Sequence, residues 1–480
     1  MSARRLAMNL PAALLVAMLA ACAVGPQFQR PTAPGSREYA AAVPAQLGGA
    51  DLAAQQLLPG AAADAQWWHL FASPALDQIV QQALDGNRTL AAAAAAVDQA
   101  RELVAAREGA LAPQVSGSAG TGRQKYGAQF LGSLPKPPPF TYFAIGAKVS
   151  YALDYTGGVK RGIEQQRALA EYQQHQLEAA QLAVSGNAVL LALQAASLRE
   201  EIATVEALLE RDQETLRLVQ EALAAGSASQ LDVLTARSQL ATDATQLPAL
   251  RQQLDAAGDA LAVLTGGAPA DASLPQPALE QITLPAQLPL AVPSELAHRR
   301  PDILAAEAQL HAATAAVGVA TGNLYPHLTL TASTGQEAIS AGALFAPGSS
   351  VWSFAAGLAG PLFDGGTLRA EQRAAVAALR MNAANYQQAV LEAFGQVADA
   401  LQALQHGVET LQAQTEAGTA ASQTADLTRR AYREGEASLL QVLDAERRYR
   451  QAQLGLVRAR AQRYMDTAQL LLAIGPGAAQ

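Results

Sequence analysis

Residues 226–234, Gly-Ser-Ala-Ser-Gln-Leu-Asp-Val-Leu, return as residues 435–443, Gly-Glu-Ala-Ser-Leu-Leu-Gln-Val-Leu. Both copies open on a glycine, the residue that tolerates a tight turn, and both stand between long helical patterns. Two further landmarks recur in the same order. Leu111-Ala112-Pro113-Gln114-Val115 returns as Leu324-Tyr325-Pro326-His327-Leu328, and Leu153-Asp154 with Gly157-Gly158 returns as Leu362-Phe363-Asp364-Gly365-Gly366. The offset is roughly 210 residues, far beyond solenoid periods. Three landmarks at nearly one offset define a duplicated unit that reads helix, two strands, long helix, tight turn, helix.

The strands show themselves by alternation. Phe143, Ile145, Ala147, Val149, Tyr151, Leu153 and Tyr155 alternate with Ala144, Gly146, Lys148, Ser150, Ala152 and Asp154. Trp352, Phe354, Ala356 and Leu358 alternate with small residues in the second unit, and Leu328 and Leu330 do the same beside His327, Thr329 and Thr331. One face is apolar and the other small or polar, as period two requires. About half of the aromatics fall in the two strand regions, as the girdles of a membrane barrel require. The Gly, Ser and Pro stretches Gly117–Pro139 and Ser333–Ser350 suit hairpin loops. Four strands cannot close a barrel, since the smallest membrane barrels need about eight, so such a chain must oligomerise to hide its edges. Three chains give about twelve strands.

The helices are long. Thr367 to Glu434 contains no proline, which allows roughly 100 Å of helix. Val390, Phe394, Val397, Leu401, Leu404, Val408 and Leu411 form a heptad seam, and so do Ala188, Leu191, Ala195, Leu198, Ile202, Val205 and Leu209. The returning helix continues the rule with Val442, Ala445, Tyr449, Ala452, Leu456 and Ala459. Each returning helix is expected to run about 36 residues and the helix entering the second pair of strands, Ser294 to Asn323, about 30. Placed end to end, such a pair matches the long helix, which predicts a helical cylinder continuing from the barrel.

Composition agrees with close helix packing. About a fifth of the chain is alanine, which loses no side-chain entropy in a helix and lets backbones approach. The net charge of −8 and the lack of a basic block with interleaved aromatics argue against a nucleic-acid partner. Arg4 and Arg5 precede a mostly apolar stretch, Leu6 to Leu19, which ends in Leu19-Ala20-Ala21-Cys22. This reads as a signal peptide with a lipobox, in which Cys22, the only cysteine, is lipidated. Ala23 rather than Asp follows, which favours the outer membrane. No later run reaches about 18 consecutive apolar residues, so a membrane crossing has to be made by strands. The expected organisation is a signal peptide (1–21), a lipid-anchored segment (22–66), a first repeat (67–280), a second repeat (281–472) and a short tail (473–480).

Cys22-Ala23-Val24-Gly25-Pro26, Trp67-Trp68, His298-Arg299-Arg300-Pro301-Asp302-Ile303 and the segment Gly435 to Ala445 together resemble the TolC-like outer-membrane efflux factors, in the lipoprotein branch serving resistance-nodulation-division pumps. The resemblance covers nearly the whole mature chain. It implies an α+β membrane protein: a homotrimer with a twelve-stranded transmembrane β-barrel, four strands per chain, continued by a long periplasmic α-helical barrel. The implied partners are a periplasmic adaptor and an inner-membrane pump, and the implied role is a passive exit channel for small molecules, with no cofactor beyond the lipid. In that family acidic rings and inter-helix links close the periplasmic tip. The resemblance places Asp444 on a ring-acid position, Asp232 on the linking aspartate and Tyr432 on the gate tyrosine, beside the turn glycines Gly226 and Gly435. Gln441 stands at the other ring-acid position and Ala437 at the gate arginine, for which Arg433 is the nearby replacement. Threefold symmetry would gather each carboxylate around the axis, where like charges raise one another's pKa and attract cations.

An enzyme is not indicated. His69, His175, His298, His311, His327 and His406 are scattered without metal-ligand or nucleophile-base spacing. The Gly-Gly pairs lack a following Walker lysine and threonine, and His298-Arg299-Arg300 reads as the polar start of a helix. Two alternatives share some of these features. One is a lipid-anchored periplasmic scaffold or adaptor without a pore, which leaves the apolar strand faces unexplained; the other is a protein-secretion exit duct of the same architecture.

Overall fold

The computed structural model describes residues 24–32, 39, 46–48, 54–61, 63–126, 138–271 and 273–475. The signal peptide, Cys22 and the end of the tail lie outside the described residues. Two compact units emerge, and they cut across the sequence repeats. The first takes residues up to Pro31, Ala96–Gln173 and Ala305–Tyr386, and the second takes Thr32–Ala95, Gln174–Leu304 and Gln387–Gln480. Each unit therefore draws on both repeats.

The first unit holds a four-stranded antiparallel sheet of β3 (Gln114–Gln124), β4 (Phe140–Leu153), β6 (His327–Ala338) and β7 (Ser350–Ala359), in the order β3-β4-β6-β7. The central pairing joins the two repeats, with Lys148 opposite Ser333 and Leu153 opposite Leu328. Among the described residues its outer strands, β3 and β7, have no partner on their outer edges. The register collects one apolar face. Val115 lies opposite Val149, Tyr151 opposite Leu330, Ala332 opposite Phe354 and Leu328 opposite Leu358. Trp352 and Phe354 remain 80% and 70% exposed, so this face is built to be covered by something apolar outside the chain. The opposite face carries Ser116, Ser118, Lys148, Ser150, Thr329, Ser333 and Ser353.

The repeated landmarks turn out to be chain-turning devices. At the strand-to-helix corners, the Asp154 carboxylate accepts from the N–H groups of Val159 and Lys160 at 3.1 and 2.9 Å, and Asp364 accepts from Gly366 and Leu368 at 2.8 and 2.9 Å. These carboxylates satisfy N–H groups that the start of a helix leaves unpaired. Gly157, Gly365 and Gly366 adopt positive φ there. Val24 donates to the Thr156 carbonyl at 3.1 Å, Phe28 stacks on His311 at 4.4 Å and Arg30 pairs with Glu307 at 2.6 Å, which fixes the described start of the chain along this unit.

In chain order the main helices are α1 (Pro74–Gly86), α2 (Arg88–Glu108), α3 (Gly158–Ala224), α4 (Gln230–Ala244), α5 (Gln246–Leu264), α6 (Pro301–Gly322), α7 (Thr367–Arg433) and α8 (Leu439–Ala473). The helices α3 and α7 each run 67 residues, and the seams sit inside, with Ala195, Val205, Val397, Leu401 and Leu404 all buried. A three-stranded sheet in the second unit, β1 (Gln46–Leu47), β2 (Gln55–Pro59) and β5 (Gln287–Leu290), lies with the buried Trp67, Trp68 and Phe71.

The structure changes or sharpens four sequence expectations. The returning helix of the second repeat runs 35 residues, but that of the first breaks into α4 and α5 at Thr245. Pro248 explains the break, since its ring collides with the carbonyl four residues back, that of Ala244. The helix entering the second strand pair starts at Pro301, after a separate turn Pro293–Leu296, and runs 22 residues rather than about 30. Arg300 does stand at the start of α6, its carbonyl accepting from the Leu304 N–H at 3.0 Å, but it is buried. It is 7% exposed, donates to the Ala473 carbonyl at 2.7 Å and to Gln396 at 2.7 Å, and grips both Asp302 oxygens. Finally, α3 and α6 are long and apolar enough by composition to cross a membrane, although no uninterrupted apolar run reaches that length. About half of each apolar window is buried inside the chain, as helix packing requires.

Candidate gate and lumen surfaces

The two glycine turns close the helical hairpins α3–α4 and α7–α8 in one way. Gly226 and Gly435 have φ of +79° and +80°. The Gly226 N–H donates to Leu223 and the Ser227 N–H to Ala222; the Gly435 N–H donates to Tyr432 and the Glu436 N–H to Ala431. This paired pattern is a Schellman motif, which satisfies the last carbonyls of each long helix.

The helix that follows each turn opens on a capping box, in which a serine and the residue three places on exchange hydrogen bonds. Ser229 donates from its N–H and its hydroxyl to the Asp232 carboxylate at 2.8 and 2.7 Å, and the Asp232 N–H returns to the Ser229 oxygen at 3.2 Å. Ser438 does the same with Gln441, at 2.7, 3.2 and 3.4 Å. Asp232 and Gln441 are therefore equivalent residues performing one backbone task, one charged and one neutral. The Ser229 hydrogen bonds hold the Asp232 carboxyl below the usual carboxylate range.

The other proposed gate residues surround these boxes. Tyr432 packs with Leu216, Leu223 and Leu443 around buried Val219, Val233, Ala236 and Leu439. Burial, and then the charge of Asp232, push its phenol up. Asp444 is paired inside its own helix with Arg447 at 2.7 Å and Arg448 at 2.9 Å. Arg433 ends α7, and among the described residues neither it nor Tyr432 is hydrogen-bonded or ion-paired to Asp232.

A buried charged cluster escaped the sequence reading. Arg450 on α8 reaches both Asp212 oxygens at 3.0 Å and Asp243 at 2.8 Å, and all three residues are at most 6% exposed. Two carboxylates share one guanidinium. Burial pushes Asp212 up to about 7; Arg450 pulls it back, and Asp243 adds to the rise. Nearby, Arg429 pairs with buried Glu446, and Arg211 lies 4.6 Å from the Tyr449 ring centre. Asp212 continues the seam from Leu209 and is followed by Leu216, Val219 and Leu223, so a carboxylate at a core position was the available signal.

Among the described residues no group of three or more His, Cys, Asp or Glu is placed to hold a metal. The sheet, by contrast, offers one apolar and one polar face and two open edges, and the hairpins offer paired polar tips. The model of the outer membrane efflux protein family matches this chain twice, over residues 79–267 and again over 292–476. The chain belongs to that family. It is similar to the pyoverdine export outer membrane protein OpmQ of Pseudomonas putida, 33% identical over 86% of this chain and 88% of the relative. It is 27% identical to the probable outer membrane lipoprotein SilC of Salmonella typhimurium, over 96% of both chains. Its fold superposes on the outer-membrane channel OprN with a TM-score of 0.87 and 28% identity, covering 95% of this chain and 99% of that one. As an outer membrane efflux protein, the chain is one subunit of a trimeric exit channel in a tripartite efflux system, working with an adaptor and an inner-membrane pump. The four strands of each subunit supply a third of the barrel, whose apolar face meets lipid and whose polar face lines the lumen. The family is one of channels rather than enzymes.

Proposed function

We propose that the two hairpin turns are the periplasmic gate of this channel, and that charge rather than turn geometry sets how tightly it closes. The observation that carries this is the pair of equivalent capping boxes, which differ in charge at Asp232 and Gln441. Threefold symmetry turns each Asp232 into a ring of three carboxylates, held ionised by Ser229. Asp444 contributes less, because Arg447 and Arg448 neutralise it within its own helix. Tyr432 wedges the end of α7 against α3 and α4, and Arg433 supplies the cation to a neighbouring subunit in place of the arginine missing at Ala437.

We also propose that Cys22 carries a lipid. Its support is the lipobox, the relative named as a lipoprotein, and the position of Val24, which is tied to Thr156 just past the end of β4. Single-channel recording in planar bilayers tests the gate: Asp232→Ala with Asp444→Ala should open wider than the wild type, and unchanged conductance would remove these residues from the gate. Labelling with a palmitate analogue tests the anchor, and Cys22→Ser should lose all label; persistent label would place the lipid elsewhere.

A further inference from the structure

The polar face of the sheet carries a cation that the gate account does not use. Lys148 lies at the middle of β4, directly opposite Ser116 on β3 and Ser333 on β6, and Ser333 lies opposite Ser353 on β7. Across all four strands this row reads Ser, Lys, Ser, Ser, with the Ser333 and Ser353 hydroxyls 2.8 Å apart. Along β4 its neighbours on the same face are Gly146 and Ser150. Lys148 is exposed, and among the described residues its ammonium meets no carboxylate.

The other ionisable groups of this face stand well away. Glu337 lies opposite Ala144, four residues along the strand, which is about 13 Å. His327 stands six residues from Ser333 in the other direction, roughly 20 Å. Below β4, the Asp154 carboxylate is held by the N–H groups of Val159 and Lys160. Salt screens charges beyond about 8–10 Å, so none of these offsets the ammonium.

We propose that Lys148 forms a ring of three ammonium groups inside the barrel lumen, an anion-selective subsite for departing anionic solutes such as carboxylates and phosphates. The small residues of the row leave the lysine room to project, and a ring of lysines in a water-filled pore lowers the barrier for anions while raising it for cations. The channel thus carries opposite signs at two levels, acidic at the gate and basic in the barrel.

The test is the reversal potential of the trimer in a KCl gradient. The tip is common to every variant, so differences report the barrel. Lys148→Gln should lower the chloride-to-potassium permeability ratio about two- to threefold, as three charges roughly a Debye length from the axis supply in water. Lys148→Glu should lower it further, and Lys148→Arg should preserve it. Equal ratios in all four proteins would overturn the ring. A second measurement needs no substitution: tripolyphosphate added on the loop side should block the wild-type current at 0.1 M salt and release it at 1 M. Indifference to tripolyphosphate at low salt would contradict the subsite even if the variants failed to assemble.

Discussion

The hairpin of the first repeat and that of the second share every backbone device and differ in charge and continuity. Both turn on a positive-φ glycine, both satisfy their carbonyls through the same two hydrogen bonds, and both restart on a serine capping box. Yet the first places Asp232 where the second has Gln441, and the first return breaks at Thr245 while the second runs unbroken to Ala473. The shared parts are what any tight helical hairpin requires. The parts that diverged after duplication are free to serve function, and they are where the gate reading rests.

The largest effect should come from what ties the two hairpins together. Arg450 of the second repeat holds Asp212 and Asp243 of the first. Arg450→Leu leaves two buried carboxylates without their cation and should destabilise the protein by about 3–5 kcal/mol, read from denaturant unfolding. A loss below about 1 kcal/mol would mean that the two hairpins stand without it.

The same cluster predicts a pH dependence. Asp212 titrates near 7 in the folded chain and near 3.8 when unfolded, so between these values the folded chain binds more protons. Its contribution is fully present below about pH 4 and is lost as pH rises through about 7. Melting temperature should therefore lose an Asp212-dependent increment between about pH 4 and 7, and Asp212→Asn should abolish that increment. An identical pH profile for the variant would show that Asp212 does not carry the proton.

Smaller and equal effects should follow at the turns. Gly226→Ala and Gly435→Ala meet no atom within 4 Å, so the cost is that of the left-handed backbone alone, about 1–2 kcal/mol each. Unequal costs in unfolding experiments would show that the two turns are not equivalent.

Much of this was legible in the sequence. The period of roughly 210 residues located both hairpins and both strand pairs, and alternation gave the apolar face of β4 and β7 correctly. Other features resisted because they depend on residues brought together late. Pro248 was visible, but the break it makes depends on a clash with the Ala244 carbonyl. Arg300 was read as the polar start of a helix, but that it is buried depends on the end of α8, whose Ala473 carbonyl it reaches. Asp212 went unread although it stands as a charge in line with Leu209, Leu216 and Val219, and its partners come from α4 and α8, which no spacing within α3 reveals. The gate roles proposed for Asp232 and Gln441 rest on resemblance; their shared capping geometry came from the structure.

That shared geometry allows the most direct test of the account. Asp232→Gln gives the first hairpin the capping residue the second already uses, removing charge while keeping the turn. Gln441→Glu does the reverse. In single-channel recordings the account predicts wider and less cation-preferring openings for Asp232→Gln, and narrower, more cation-preferring openings for Gln441→Glu. If both variants conduct as the wild type does, charge at the hairpin tips does not govern the gate.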